Sequence, residues 1–154
     1  MLDISWKCLP FDRLSREELY ACMHLRQEVF VVEQTCPYLD ADYKDQPGHH
    51  LMGWRKGSEK LIAYARLLPA GVAYEKYASI GRVVNAPDVR GQGVGKALMQ
   101  RAIEETSRLF QQHSIKISAQ CYLLDFYRKL GFDPIGEAYL EDDIPHRAMI
   151  WGEK

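Results

Sequence analysis

No stretch of this chain is apolar for long enough to cross a bilayer, which takes about 20 consecutive apolar residues. The opening segment, Met1 to Phe11, lacks the basic start and long apolar run of a secretory signal. Cysteine is sparse and dispersed: Cys8, Cys22, Cys36 and Cys121 form no C-x-x-C pair. That argues against a zinc site and against a disulfide framework, so no metal is expected. Free thiols fit a reducing compartment, and a cytoplasmic protein with no membrane partner is expected. Neither sign of charge is in excess, with 20 Lys and Arg against 21 Asp and Glu. Nucleic acid, whose phosphate backbone is bound by surplus positive charge, is therefore not an expected partner.

What the chain does have is the make-up of one ordinary globular domain. Its 154 residues are 47% hydrophobic and 27% charged, enough apolar material for a core without staples. No repeat, low-complexity tract or polar linker divides it, so residues 1–154 are read as a single domain.

Ser15-Arg16-Glu17-Glu18 has the form of a capping box, and Leu19, Cys22, Met23, Arg26 and Phe30 follow at helical spacing. The spacing predicts a helix from Arg16 to Val31. Thr35 to Gly48 has neither helical nor strand period and reads as an irregular loop of functional length. Strands are expected at His50 to Trp54 and Lys60 to Leu68, joined by the turn Lys56-Gly57-Ser58-Glu59, and again at Tyr77 to Val84. A helix from Gly93 to Gln112 and a strand from Ile115 to Gln120 come next. Strand, crossover helix and strand in this order predict a right-handed parallel pair. Leu123 to Leu130 is a short helix closed by Gly131, and Ile135 to Tyr139 and Ala148 to Trp151 are two last strands around an acidic turn. The fold class is α/β with a mixed sheet. Two acidic groups, Asp40, Asp42 and Asp45, then Glu137, Glu141, Asp142 and Asp143, read as solvated loop charge in preference to a rim that attracts cations.

Arg90-Gly91-Gln92-Gly93-Val94-Gly95-Lys96 joins a strand to the start of a helix, where backbone N–H groups have no intrahelical partner. The glycines let a ligand approach the backbone, and the helix dipole favours a pyrophosphate there. A Walker A loop ending at Gly95-Lys96 would need Gly at Arg90 and Ser or Thr at Ala97, and has neither. Dinucleotide fingerprints started at Gly91 or Gly93 fail at Lys96 and Leu98.

The pattern that does fit, R-x-x-G-x-G as Arg90, Gly93 and Gly95, resembles motif A of the GNAT acetyltransferases. Phe126-Tyr127-Arg128-Lys129-Leu130-Gly131-Phe132 is similar to a second segment of that family in the expected order. Leu25 to Gln34, Ala63 to Leu67 and Ile80 to Val84 resemble its ElaA-type branch, so the likeness spans most of the chain. The resemblance implies a mostly antiparallel mixed sheet, flanked by helices, with a central splayed parallel pair. It implies that the pantetheine arm of acetyl-CoA hydrogen-bonds the backbone of Val83 and Val84 while residues Arg90, Gly91, Gln92, Gly93, Val94, Gly95 and Lys96 hold the pyrophosphate. The acetyl group would pass to a primary amine, on a small molecule or a peptide, in a ternary complex, with acetyl-CoA as cosubstrate.

In that setting Tyr127 corresponds to the family's proton donor to the departing thiolate. Reference pKa values of phenol and thiol lie within about two units. Glu33 is the choice for the base that takes the amine's proton, although it reads more readily as an exposed helix-end carboxylate, and His49, His50 and His146 are rivals. Arg82, inside an apolar strand, is read as pairing with a carboxylate of the fold in preference to one on a substrate. Cys121 reads as a packed, inert thiol. Two alternatives are an enzyme similar to acyl-homoserine lactone synthases, whose Arg-x-x-x-Phe segment Arg26 and Phe30 reproduce, and a CoA-binding sensor without turnover. The amine acceptor is open, and so is a homodimer.

Overall fold

The computed structural model describes residues 2–111 and 114–152. In chain order the elements are β1 (Ile4–Pro10), α1 (Arg16–Arg26), β2 (His49–Arg55), β3 (Leu61–Leu68), β4 (Ala78–Asn85), α2 (Val94–Phe110), β5 (Ser114–Gln120), α3 (Leu124–Lys129), β6 (Phe132–Glu141) and β7 (Ile144–Gly152). The strands make one mixed sheet in the order β1-β2-β3-β4-β5-β7-β6. β4 and β5 run parallel, and the other neighbours are antiparallel. β3 is buried along its whole length, and α1 and α2 both pack on β3 and β4.

The capping box forms as the sequence predicts: Ser15 Oγ accepts from the Glu18 N–H at 3.0 Å, and Glu18 Oε1 accepts from the Ser15 N–H at 2.8 Å. The helix it starts does not stay α to Val31. After Arg26 it widens into a π-helical stretch, Gln27–Glu33, continued by i→i−5 bonds from the Gln34 N–H to the Val29 carbonyl and from the Cys36 N–H to the Val31 carbonyl. Widening of this kind recurs at functional sites. Here it brings Val29, Phe30, Glu33 and Gln34 to line one cavity.

β1 was not expected, although Ile4, Trp6 and Cys8 alternate with Ser5 and Lys7 at strand period. The end expected for the second helix, Gln112, lies outside the described residues; α2 runs Val94–Phe110 with Gly93 as its N-cap. The acidic turn is as expected, and Asp142 and Asp143 both take positive φ, 51° and 63°. This is the twist that a two-residue hairpin loop requires, and Asp tolerates it.

Two irregularities open the sheet at its centre. The ladder between β4 and β5 is confined to Ala78 with Ile115 and Ser79 with Lys116, after which the strands part. Between β3 and β4 the pairing passes from Tyr64 opposite Val84 to Arg66 opposite Gly81, so β4 carries an extra residue, a β-bulge. The bulge falls at Arg82, whose φ is 51°.

Candidate functional site

A cavity of about 600 Å³ fills the opening between β4 and β5. Five of the site residues expected from the sequence line it together: Val83 and Val84 from the bulged half of β4, Arg90 from the turn, Tyr127 from α3 and Glu33 from the π-helical segment. Gly91, Gln92, Gly93 and Lys96 are exposed at the N-terminal end of α2. Val94 is in the core, so only its backbone faces the turn.

The turn's glycines are there for two different reasons. Gly91 and Gly93 have φ of 79° and 78°, and a Cβ on either would meet nothing within 4 Å. Conformation, not crowding, requires glycine there. Gly95 has ordinary φ, but its Cβ would come 3.0 Å from Asn85 Nδ2, so close packing of α2 on β4 disfavours a side chain unless Asn85 shifts. Rigid backbone with open space before a helix N-terminus suits an anion.

Arg90 and Glu33 form a bidentate ion pair, with Nη1 to Oε2 at 2.8 Å and Nη2 to Oε1 at 2.6 Å. The hydrogen bond from Arg90 holds the Glu33 carboxyl below its ordinary pKa, which makes it a weaker proton acceptor than a free glutamate. Tyr127 is buried and packs edge-on against Phe126 and Phe132, at centroid distances of 5.1 and 5.9 Å. Burial pushes its hydroxyl up to about 12.

Arg82 pairs within the fold, as expected: Nε lies 2.7 Å from Asp40 Oδ1 and Nη2 3.3 Å from Asp42 Oδ2. The reading of Asp40, Asp42 and Asp45 as solvated loop charge is corrected. Asp40 and Asp45 are only 4% and 6% exposed, because Arg26, Arg66 and Arg82 surround them. Arg26 places Nε 2.8 Å from Asp40 Oδ2 and Nη1 2.8 Å from Asp45 Oδ1. Arg66 Nη1 bridges Asp42 at 2.7 Å and Asp45 at 2.9 Å. Three cations against three anions give no net charge, and each desolvated group has a partner. The loop is thereby tied to α1, to β3 and to the bulge of β4. By contrast, Glu137, Glu141, Asp142 and Asp143 are exposed as read, although Glu141 and Asp142 also line the cavity.

Burial works to raise the Asp42 and Asp45 carboxyls, but hydrogen bonds and charge from Arg66 and, for Asp45, Arg26 outweigh it and hold both below the usual carboxylate range. His50 is lowered, chiefly by burial. Each of these groups binds protons less readily folded than unfolded, so their contribution to stability is full at neutral pH and falls with pH. Urea midpoints are expected to drop first below about pH 6.5, as unfolded-state histidine protonates, and more steeply below about pH 4. A flat profile from about pH 7 to about pH 3.5 would show that the cluster is not held as described.

The sheet opened at its centre, with a bulge in one lip and a glycine turn leading into a helix at its mouth, defines a class that sequence comparison bears out: the chain belongs to the GNAT acetyltransferase family. It matches that family's acetyltransferase (GNAT) domain over residues 16–152. Among its relatives is protein ElaA of Escherichia coli, 40% identical over 148 residues that cover 95% of each chain. The crystal structure of E. coli ElaA matches with a TM-score of 0.89 at 38% identity, covering 97% of this chain and 99% of that one. An acyl-CoA N-acyltransferase from Pseudomonas aeruginosa matches with a TM-score of 0.91 at 45% identity, over 97% of this chain and 100% of that one. A CoA-dependent acyl-homoserine lactone synthase, at 16% identity and a TM-score of 0.78, covers 96% of this chain and 82% of that one and shares the fold alone.

Proposed function

We propose that this chain transfers an acetyl group from acetyl-CoA to a primary amine by direct attack in a ternary complex. The observation that carries the reading is the early end of the β4–β5 ladder. Beyond Ser79 the facing edges of the two strands flank a cavity instead of each other, and that cavity leads to Arg90 and the start of α2. An extended chain bearing amides can complete such an opening by hydrogen bonding as a strand does. Pantetheine is such a chain, and the pyrophosphate joined to it falls at the anion-attracting turn.

In the reaction the amine nitrogen forms a bond to the thioester carbon, the carbon–sulfur bond breaks, and the sulfur leaves as a thiolate. The amine must first lose a proton, and the thiolate must gain one. Tyr127 is the donor in this reading. Arg90, on taking a phosphate, would release Glu33, so Glu33 serves as the base only by that exchange. Four free thiols accord with a cytoplasmic enzyme.

Acetyl-CoA is expected to raise Tm where ATP and NAD do not. At about 100 times Kd the gain is about 2.7 kcal/mol, worth roughly 5–10 °C for a chain of this size. An equal rise with ATP would remove the CoA assignment. Gly93→Ala is expected to lower the ligand-free Tm, since a left-handed non-glycine residue costs roughly 1–2 kcal/mol, and also to lose most of the acetyl-CoA rise, because its Cβ points into the space the ligand needs.

A further inference from the structure

Of the three histidines that rival Glu33 as base, two do not line the cavity. His49 packs edge-on against Phe110 at 5.5 Å. His50 is buried in the charged core with both ring nitrogens engaged, Nε2 to the Asp45 carbonyl at 2.9 Å and Nδ1 to the Tyr64 hydroxyl at 2.7 Å. His146 is different: it is buried yet lines the cavity, as Tyr127 does.

The bonding around its ring defines what it does. Nδ1 lies 2.7 Å from the carbonyl of Ile144, and a carbonyl only accepts, so Nδ1 carries the hydrogen. In the neutral ring the lone pair is then on Nε2. Nε2 faces Glu141 Oε2 at 3.4 Å. An unprotonated nitrogen gains nothing from a carboxylate at that distance, whereas a protonated one gains an ion pair. Glu141 Oε2 is thus within ion-pair distance of Nε2 once the ring carries a second proton. Glu141 is itself oriented, since Ser118 Oγ donates to its Oε1 at 3.2 Å and Ser118 also hydrogen-bonds the Tyr139 hydroxyl. The Tyr139 ring lies nearly parallel to the imidazole, 6.3 Å away. Thus β6 presents Tyr139 and Glu141 to the ring, and β5 pairs Gln120 with it in register.

We propose that Nε2 of His146 takes the proton from the attacking amine and that Glu141 positions and stabilises the resulting imidazolium. This assignment rests on the acetyltransferase reading above. The ammonium gives its first proton to Nε2, the freed lone pair forms the N–C bond, the C–S bond breaks and Tyr127 protonates the departing thiolate, while the second N–H proton of the adduct passes through solvent to the tyrosinate and restores it. The proton on His146 leaves through Glu141, which is exposed and lines the cavity.

A base that acts before attack is needed only when the amine arrives protonated, and this separates the proposal from a merely structural His146–Glu141 staple of the β6–β7 hairpin. The test follows free thiol released from acetyl-CoA with ethylamine, a cation at neutral pH, and with trifluoroethylamine, which is neutral there. His146→Asn keeps an amide to donate to the Ile144 carbonyl but lacks the basic nitrogen. It is expected to lose about 10²-fold in kcat/KM with ethylamine and only a few-fold with trifluoroethylamine. Glu141→Gln, which leaves the imidazole in place, is expected to lose about tenfold with the same preference between amines, and it decides the matter if His146→Asn does not fold. Equal losses with both amines, or a wild-type rate in His146→Asn, overturn the assignment. So does an ethylamine-selective loss found in Glu33→Gln and not in His146→Asn. A wild-type chain that binds acetyl-CoA and releases thiol neither with these amines nor with a panel of polyamines, amino sugars and lysyl peptides overturns the acetyltransferase reading itself.

Discussion

Replacing Arg26 by Met is expected to destabilise the fold by about 3–5 kcal/mol, the cost of leaving a buried charge without its partner. Arg26 is 1% exposed and holds two carboxylates and the Asp40 carbonyl at once. Without it, Asp40 and Asp45 keep only Arg82 and Arg66 as cationic partners, and the cluster carries a net negative charge out of reach of solvent. At roughly 2–4 °C per kcal/mol for a domain of this length, Tm should fall by about 6–20 °C. Arg26→Lys should recover only part of the loss, because one ammonium cannot reproduce a planar fork that addresses two carboxylates. Thermal melts and urea titrations check both variants. A loss below about 1 kcal/mol in Arg26→Met would mean that water reaches the cluster and screens it as it would at a surface. The loop from Thr35 to Gly48 is held by this cluster, and the same cluster grips Arg82 at the bulge, so the variant is also expected to bind acetyl-CoA more weakly.

The sequence reveals the site more readily where local chemistry is decisive than where distant residues meet. The capping box at Ser15, the glycine turn after Arg90 and the hairpin around Gly57 each follow from a few neighbouring residues, and each forms. The charged cluster was hidden because Asp40, Asp42 and Asp45 sit in a stretch without period, and nothing nearby in the sequence announces that arginines from α1, β3 and β4 converge on them. The bulge was hidden for another reason. Gly81 is the residue that local rules would choose for an unusual backbone conformation, yet the positive φ falls on its neighbour Arg82, whose side chain is fixed from outside by Asp40 and Asp42. Likewise Glu33 and Arg90 stand 57 positions apart, and only the splayed sheet brings them together. Three histidines looked equivalent in the sequence; access to the cavity and hydrogen bonding then separate His146 from the other two.

Tyr127→Phe is expected to lower kcat by about 10²-fold while leaving acetyl-CoA binding and Tm nearly unchanged. The ring fills a place between Phe126 and Phe132, and phenylalanine fills it too, so the variant isolates the hydroxyl. Burial holds that hydroxyl at about 12, further from an ordinary thiol at about 8.5 than reference values imply. Complete transfer to a free thiolate is then uphill, and the hydroxyl contributes most as a hydrogen bond to charge developing on sulfur while the carbon–sulfur bond breaks. A group that acts through its proton fails only as pH rises through its pKa. The alkaline side of the kcat profile should therefore show no fall due to Tyr127 between about pH 8 and about pH 10. Tyr127→Ala, which also removes the ring, is expected to cost about 3–5 kcal/mol of stability in addition to the rate. Single-turnover measurements, in which the chemical step is observed directly, give the deciding result. If Tyr127→Phe acylates the amine at the wild-type rate there, or if its defect lies wholly in KM, then the tyrosine only packs the wall of the cavity and water protonates the sulfur.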